Sequence, residues 1–483
     1  MKKLFSITAV LLSFSLLQAQ SIVGNWEGAL DANGTELTVV FHIAKDSTGK
    51  LVGSFDSPKQ MAYGLKCSNI SMAGDSVLIE MKAFGAKYSG LVGADKKTMT
   101  GNWGQGGMTL PLELVKTGDV AVAAEMKRPQ TPKPPFSYHS EEVSYGNADN
   151  SIRFGGTFTR PSLWADKVKE MKYPVVILIT GSGQQDRDET LFEHKPFAVI
   201  ADHFAKQGIA TLRVDDREKG KTTGKFMTST TLDFAKDVEA GIEYIKTRKD
   251  VDLKNIGLIG HSEGGMIAPM VASKRKEVKF IVLLAGPGVP IIELMEQQSV
   301  DVMFSSGVPK DQAEKFRPLY TSIMLAALKE PDTAAAENNI IDLFTKWQNN
   351  TDSATVKNTT GVTDKESLTA FASSVVKQVK QPWFHYFLQF KPADYLKNVR
   401  CAVLALNGEK DIQVAAAPNL EAIRKIMTEK MVKTFKVQQL PGLNHMFQRC
   451  NTCTVQEYAQ LEETFDPGTL TIISSWIKEV VAK

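Results

Sequence analysis

The chain has 483 residues, 43% of them hydrophobic and 23% charged, with a formal net charge of +3. That length exceeds one ordinary hydrophobic core and implies two or three folding units. A charge balance so near neutrality, with its basic excess scattered, gives no footprint for a nucleic-acid partner.

The N-terminal stretch MKKLFSITAVLLSFSLLQAQS joins two lysines to an apolar run from Leu4 to Leu17 and a small-residue step at Ala19. It reads as a secretory signal peptide over residues 1–19, cleaved after Ala19. The run is short of a bilayer span, which disfavours a retained anchor, and no cysteine follows it to carry a lipid. The expectation is an exported protein, periplasmic or secreted, without stable membrane insertion once the signal is removed.

Residues 22–115 read as an all-β accessory domain, a barrel or a sandwich. Short alternating segments such as ELTVVFHIA, DSVLIEM and KYSGLVG are separated by Gly, Asp, Asn and Ser clusters. The tripeptide Gly-Asn-Trp occurs at residues 24–26 and again at 101–103. Two such strands at the two ends of the region are expected side by side. Residues 116–140 hold four prolines and no sustained periodicity, and mark a linker.

From residue 141 to 483 strands alternate with helices. YPVVILIT is a continuous apolar run of the kind buried on both faces of a parallel sheet. IATLRV, NIGLIG, KFIVLLAG, CAVLALNG and KTFKVQQLPG follow, separated by helix-length segments. This rhythm predicts an α/β domain with a doubly wound, mostly parallel sheet. Residues 291–398 interrupt it with helical patterns and no sheet-type run, and are expected to form a helical cap. Its aromatic segment QPWFHYFLQF is either the core of that cap or the lining of an acyl pocket.

Gly260-His261-Ser262-Glu263-Gly264 has the form G-x-S-x-G and stands between a predicted strand and a predicted helix. A sharp strand-to-helix turn exposes the serine, and side chains at positions 260 and 264 would collide within it. A serine hydroxyl is a poor nucleophile until a base takes its proton. In this fold class the acid and then the histidine follow on later strand-end loops. Asp411, after CAVLALNG, and His445, after KTFKVQQLPG, stand in those places, with Glu409 as an alternative acid. Stabilising donors for an oxyanion are expected from the backbone N–H of Glu263 and of Ser182 or Gly183, in the glycine-rich loop after YPVVILIT. That loop lacks the closing G-K-[ST] of a phosphate-binding loop. His261 is expected to point into the fold, and Asp186, Arg187 and Asp188 to form a structural ion-pair cluster.

Of the four cysteines, Cys450 and Cys453 are spaced for a small local disulfide. A metal site would need two further soft ligands, which the neighbourhood does not supply. No metal or organic cofactor is implied.

The elbow GHSEGG, the loop GSGQQDRDE, the segment LRVDDREKGKTTG and the tail NGEKDIQV…LPGLNHMFQ together resemble the EstD-type bacterial carboxylesterases of the α/β-hydrolase superfamily. The resemblance covers about residues 140–483 and departs from the family at Gln184, where a proline is usual, and at Glu218, where a glycine is usual. It implies a triad of Ser262, Asp411 and His445 and the cleavage of small-molecule carboxylic esters through an acyl-enzyme intermediate. Two other readings stay open: a serine peptidase or aminopeptidase of the same fold, and a non-catalytic binding protein working through its β-domain.

Overall fold

The computed structural model describes residues 22–32, 35–46, 48–57, 62–82, 85–105, 108–118, 127–162, 172–430, 432 and 434–482. The expected signal peptide and the middle of the linker lie outside these residues. The chain divides into two compact units, 1–125 and 126–483.

The first unit is a single antiparallel sheet. Its strands are β1 (Gly24–Ala32), β2 (Thr35–Lys45), β3 (Leu51–Ser57), β4 (Ala62–Lys66), β5 (Asn69–Ala73), β6 (Ser76–Met81), β7 (Ala86–Val92), β8 (Thr98–Gln105) and β9 (Met108–Gly118). They are ordered β4-β3-β2-β1-β9-β8-β7-β6-β5. Alternation turns one face inward: Val77, Ile79 and Met81 of β6 are buried, as are Ala86, Tyr88 and Val92 of β7. They meet Trp26, Phe41, Phe55 and Trp103 in one aromatic-rich core. The two Gly-Asn-Trp strands do not lie side by side. The antiparallel pairing of Gln105 with Met108 makes β9 the neighbour of β8, and β1 takes the other edge of β9.

The second unit is built on eight strands: β10 (His139–Gly146), β11 (Arg153–Arg160), β12 (Tyr173–Ile179), β13 (Ala210–Val214), β14 (Val251–His261), β15 (Val278–Leu284), β16 (Ala402–Gly408) and β17 (Phe435–Leu440). Their order is β10-β11-β13-β12-β14-β15-β16-β17. From β13 to β17 every pairing is parallel, whereas β11 runs antiparallel to both its neighbours. Continuous apolar strands serve two cores at once, because successive side chains point to opposite faces. Val175, Ile177 and Ile179 enter the core shared with α2 (Thr231–Thr247), α3 (Gly264–Ala272) and α11 (Ala416–Glu429). Val176 and Leu178 enter the one covered by α1 (Pro196–Lys206) and α12 (Pro467–Val481).

Between β15 and β16 stand seven helices, from α4 (Ile291–Ser305) to α10 (Pro392–Leu396), with α9 at Pro382–Leu388. No helix of the described residues is long and apolar enough to cross a membrane.

Part of the expected linker is strapped down. The Arg128 guanidinium donates to the carbonyls of Phe192, Ala459 and Leu461, and the Gln130 side-chain amide donates to the carbonyl of Phe465. Backbone carbonyls without a partner of their own are satisfied in this way, and β10 begins within the proline-rich stretch, at His139.

Candidate active site

The loops after β12, β14, β16 and β17 all emerge at the C-terminal edge of the parallel strands, where open α/β sheets place their sites. The turn after β14 carries Ser262 at φ +52°, a left-handed conformation that costs a non-glycine residue roughly 1–3 kcal/mol. Surrounding bonds hold it there. The Ser262 N–H donates to the Leu284 carbonyl on β15 at 2.8 Å, and the Gly265 N–H donates to the Ser262 carbonyl at 2.8 Å. The flanking glycines are obligatory. A Cβ at Gly260 would lie 1.9 Å from the Gly264 carbonyl oxygen, and one at Gly264 would lie 2.2 Å from the Ile179 carbonyl oxygen.

Helix α3 opens two residues after the serine, and the N–H groups of Glu263 and Gly264 come before the first one to find a carbonyl in this turn, that of Gly265. They offer positive charge to an oxyanion. The glycine-rich loop lies against the same serine: a Cβ at Gly181 would sit 3.2 Å from the Ser262 Cβ. Two carboxylates, Glu189 buried and Asp216 half-buried, pin that loop. Glu189 Oε1 accepts the Gly181 N–H at 2.7 Å, and Asp216 accepts the Gln185 N–H at 2.7 Å and the Thr180 hydroxyl at 2.9 Å. Ser182 and Gly183 remain exposed between these anchors.

On the next strand ends, His445 Nδ1 lies 2.7 Å from Asp411 Oδ2, with both residues buried. A carboxylate accepts, so Nδ1 carries the proton and Nε2 is left as the acceptor a base requires. The other Asp411 oxygen accepts the Gln413 and Val414 N–H groups, each at 2.8 Å, which locks the carboxylate's orientation. Asn444 stiffens the histidine loop by accepting the N–H groups of Met446 and Gln448. Glu409, the alternative acid, instead accepts the Gly442 N–H at 3.1 Å.

The structure therefore brings Asp411 and His445 into contact. The Ser262 hydroxyl makes no hydrogen bond to the described residues. The His445 ring packs 4.8 Å, centroid to centroid, from the ring of His261, directly before the serine. Contacts between nucleophile and base are commonly loose until substrate tightens them.

His261 points into the fold. Its Nδ1 faces Glu189 Oε1 and its Nε2 faces the His445 carbonyl, each at 3.0 Å. Burial opposes a charge on this ring, but the Glu189 carboxylate, the His445 carbonyl and Asp411 together raise its pKa. Two acceptors on two ring nitrogens suit the cation. Glu189, His261 and the carbonyl of His445 thus form a bracket between the glycine-rich loop, the elbow and the histidine loop. Other histidines are engaged elsewhere: His194 contacts Thr464 and Tyr458, and burial pushes it down to about 4.

Three side chains at the site have partners that the sequence did not announce. Asp216 is pushed up to about 7 by burial and by the nearby Glu263 and Glu189 carboxylates. Glu263 is raised by burial, and its Oε1 accepts the Thr231 hydroxyl at 2.6 Å and the Trp383 indole N–H at 2.9 Å. Trp383 belongs to QPWFHYFLQF, most of whose apolar side chains, Phe384, Phe387, Leu388 and Phe390, are buried in the main core. Asp216 and Glu263 line one cavity together with Thr180, Gly181, Gly183 and Tyr145.

Of the three residues expected to form an ion-pair cluster, two do so, whereas Asp186 accepts the N–H groups of Asp188 and Thr190. Arg187 joins Asp215 and Glu142, and Asp188 pairs with Arg213. Cys450 and Cys453 are bonded to each other, so the group they form with Glu457 offers no free thiolate to a metal.

An elbow serine on a mostly parallel sheet, followed in chain order by an acid and a histidine on later strand ends, defines the α/β-hydrolase fold. Over parts of its length the chain is similar to known proteins. Residues 193–357 match the family model described as serine aminopeptidase, S33. Esterase EstD of Thermotoga maritima is 36% identical over 128 residues, which is 26% of this chain and 30% of that enzyme's length. Among solved structures, an esterase of Pyrococcus furiosus, Pf2001, is 16% identical and superposes with a TM-score of 0.40 over 74% of this chain and 98% of its own. Est1E of Butyrivibrio proteoclasticus, with ferulic acid bound, is 16% identical with a TM-score of 0.39 over 71% of this chain and all of its own.

Proposed function

We propose that this protein is an exported serine hydrolase that cleaves carboxylic esters through an acyl-enzyme intermediate. The observation that carries the reading is the elbow itself: Ser262 held at φ +52° beside the glycine-rich loop, with the Asp411–His445 pair on the next strand ends. Ser262 Oγ attacks the ester carbonyl as His445 Nε2 takes its proton. The negative charge on the carbonyl oxygen is met by the N–H of Glu263 and by one from Ser182 or Gly183. Collapse expels the alcohol, which receives the proton from His445. Water then repeats the sequence on the acyl-enzyme and releases the acid. Helices α4–α10 act as a cap that sets which acyl groups enter, and Trp383 is a cap residue that donates to the elbow. The 36% identity to an esterase supports ester rather than amide cleavage. The signal-like N-terminus supports export, as does a disulfide suited to an oxidising compartment.

The test is Ser262→Ala. Hydrolysis of p-nitrophenyl acetate should fall by at least about 10³-fold in kcat, with an unchanged circular dichroism spectrum. Residual activity within about tenfold of wild type would overturn the assignment. A panel of aminoacyl amides run beside the esters separates peptidase from esterase. Absence of serine labelling by a fluorophosphonate would favour a binding protein. Export is checked by the N-terminus of the protein from the producing cell, expected at Gln20.

A further inference from the structure

Glu263 supplies more to the elbow than a backbone N–H. Its side chain is 3% exposed, and a buried carboxylate persists only where donors replace its lost water. Those donors come from separate parts of the chain. Thr231, fully buried, is the first residue of α2. Trp383 is the second residue of α9 in the helical insertion, 120 positions from Glu263. Indole N–H is a donor and nothing else, so the direction of this bond is fixed: the insertion donates and the elbow accepts. The Trp383 ring is in turn seated against Phe387 at 5.0 Å and Phe384 at 5.8 Å, both part of the buried core. A rigid path therefore runs from the core through Trp383 to the residue whose main chain opens α3.

We propose that Glu263 is a positioning residue through which the docked helical insertion aims the oxyanion hole. The Trp383 indole fixes the Glu263 side chain, and that side chain fixes the rotation of the peptide whose N–H faces the developing oxyanion. The proposal rests on the ester-hydrolase reading and adds to it a specific consequence. Turnover of a substrate too small to touch the insertion still depends on Trp383. A tryptophan that merely lined an acyl pocket would affect only the binding of long acyl groups.

The experiment compares wild type, Trp383→Phe, Glu263→Leu, Glu263→Gln and the double variant W383F/E263L on p-nitrophenyl acetate and p-nitrophenyl octanoate. Trp383→Phe keeps the ring and removes the donor. It should lower kcat for the acetate about tenfold while leaving its KM within about twofold. Glu263→Leu should show a similar loss, and Glu263→Gln, which keeps an acceptor oxygen, should recover to within about threefold of wild type. The double variant should be no slower than Glu263→Leu alone, because the two residues act through one bond. An acetate kcat within about twofold of wild type in Trp383→Phe, with only the octanoate KM raised, would overturn the proposal. So would losses that multiply in the double variant. If Glu263→Leu does not fold, Trp383→Phe and Glu263→Gln still decide. Wild type inert towards both esters counts against the esterase reading itself, an outcome distinct from an active enzyme indifferent to Trp383.

Discussion

Two regions of the α/β unit that meet at Glu263 are held in place by different means. The strand-end turns around Ser262 rely on backbone geometry. Glu189, Ser262, Ala285 and Phe447 all carry positive φ, and Gly260 and Gly264 are pressed against carbonyl oxygens. The insertion between 291 and 398 has no non-glycine residue at positive φ. It is held by side-chain packing, as where Phe344 meets Trp347 and Phe371 at centroid distances of 5.7 Å and 5.6 Å. Of these two regions, the one where the chemistry is proposed carries the backbone strain, and the other is held by ordinary packing. Such a division lets the rest of the insertion repack while the reacting geometry stays constant, provided that Trp383 keeps its bond to Glu263.

Substitutions can break or sharpen this contrast. The largest effect is expected at Gly260→Ala, whose new methyl would meet a carbonyl oxygen at 1.9 Å. Fluorophosphonate labelling of Ser262 should be lost, with the protein either insoluble or strongly lowered in Tm. Asp411→Asn comes next. It keeps the shape but reverses the partner seen by His445 Nδ1, so kcat should fall by about 10³- to 10⁴-fold with a modest change in Tm. Glu409→Gln is its control and should stay within about threefold of wild type, since Glu409 meets Gly442 and not His445. A large loss at Glu409 would reassign the acid.

In the insertion, Phe387→Leu should cost about 1–2 kcal/mol of stability by chemical denaturation. Its acetate kcat should remain within about threefold of wild type if Trp383 stays docked. A deeper kcat loss would erase the contrast between the two regions.

A further expectation concerns pH. Asp216 is pushed up to about 7, so the folded protein retains a proton that the unfolded chain releases above about pH 4. The folded state binds more protons in that window, hence stability falls as pH rises from about 4 to about 7 and levels off above it. Asp216→Asn should flatten this slope, read as Tm at pH 4.5 against pH 7.5. A slope unchanged in the variant would exclude Asp216 as its source.

Much of the second unit was legible along the chain because its signals are local. The apolar runs of β12 and β14–β16 announce a sheet buried on both faces, and the helix-length gaps announce parallel crossovers. G-x-S-x-G states its own steric reason in its two glycines. The order of Ser262, Asp411 and His445 follows from which strand each one ends. Tertiary structure alone decided the rest. Nothing near Glu189 shows that it pairs with His261, 72 residues away, and nothing near Trp383 shows that it donates to Glu263. The strapping of Arg128 to the carbonyls of Phe192, Ala459 and Leu461, and the intrusion of β9 between β1 and β8, were equally hidden. The physical reason is the same in each case. Periodicity and steric crowding act between neighbours in sequence, whereas the partner of a buried charge or the edge left open on a sheet is set by what folding brings close in space.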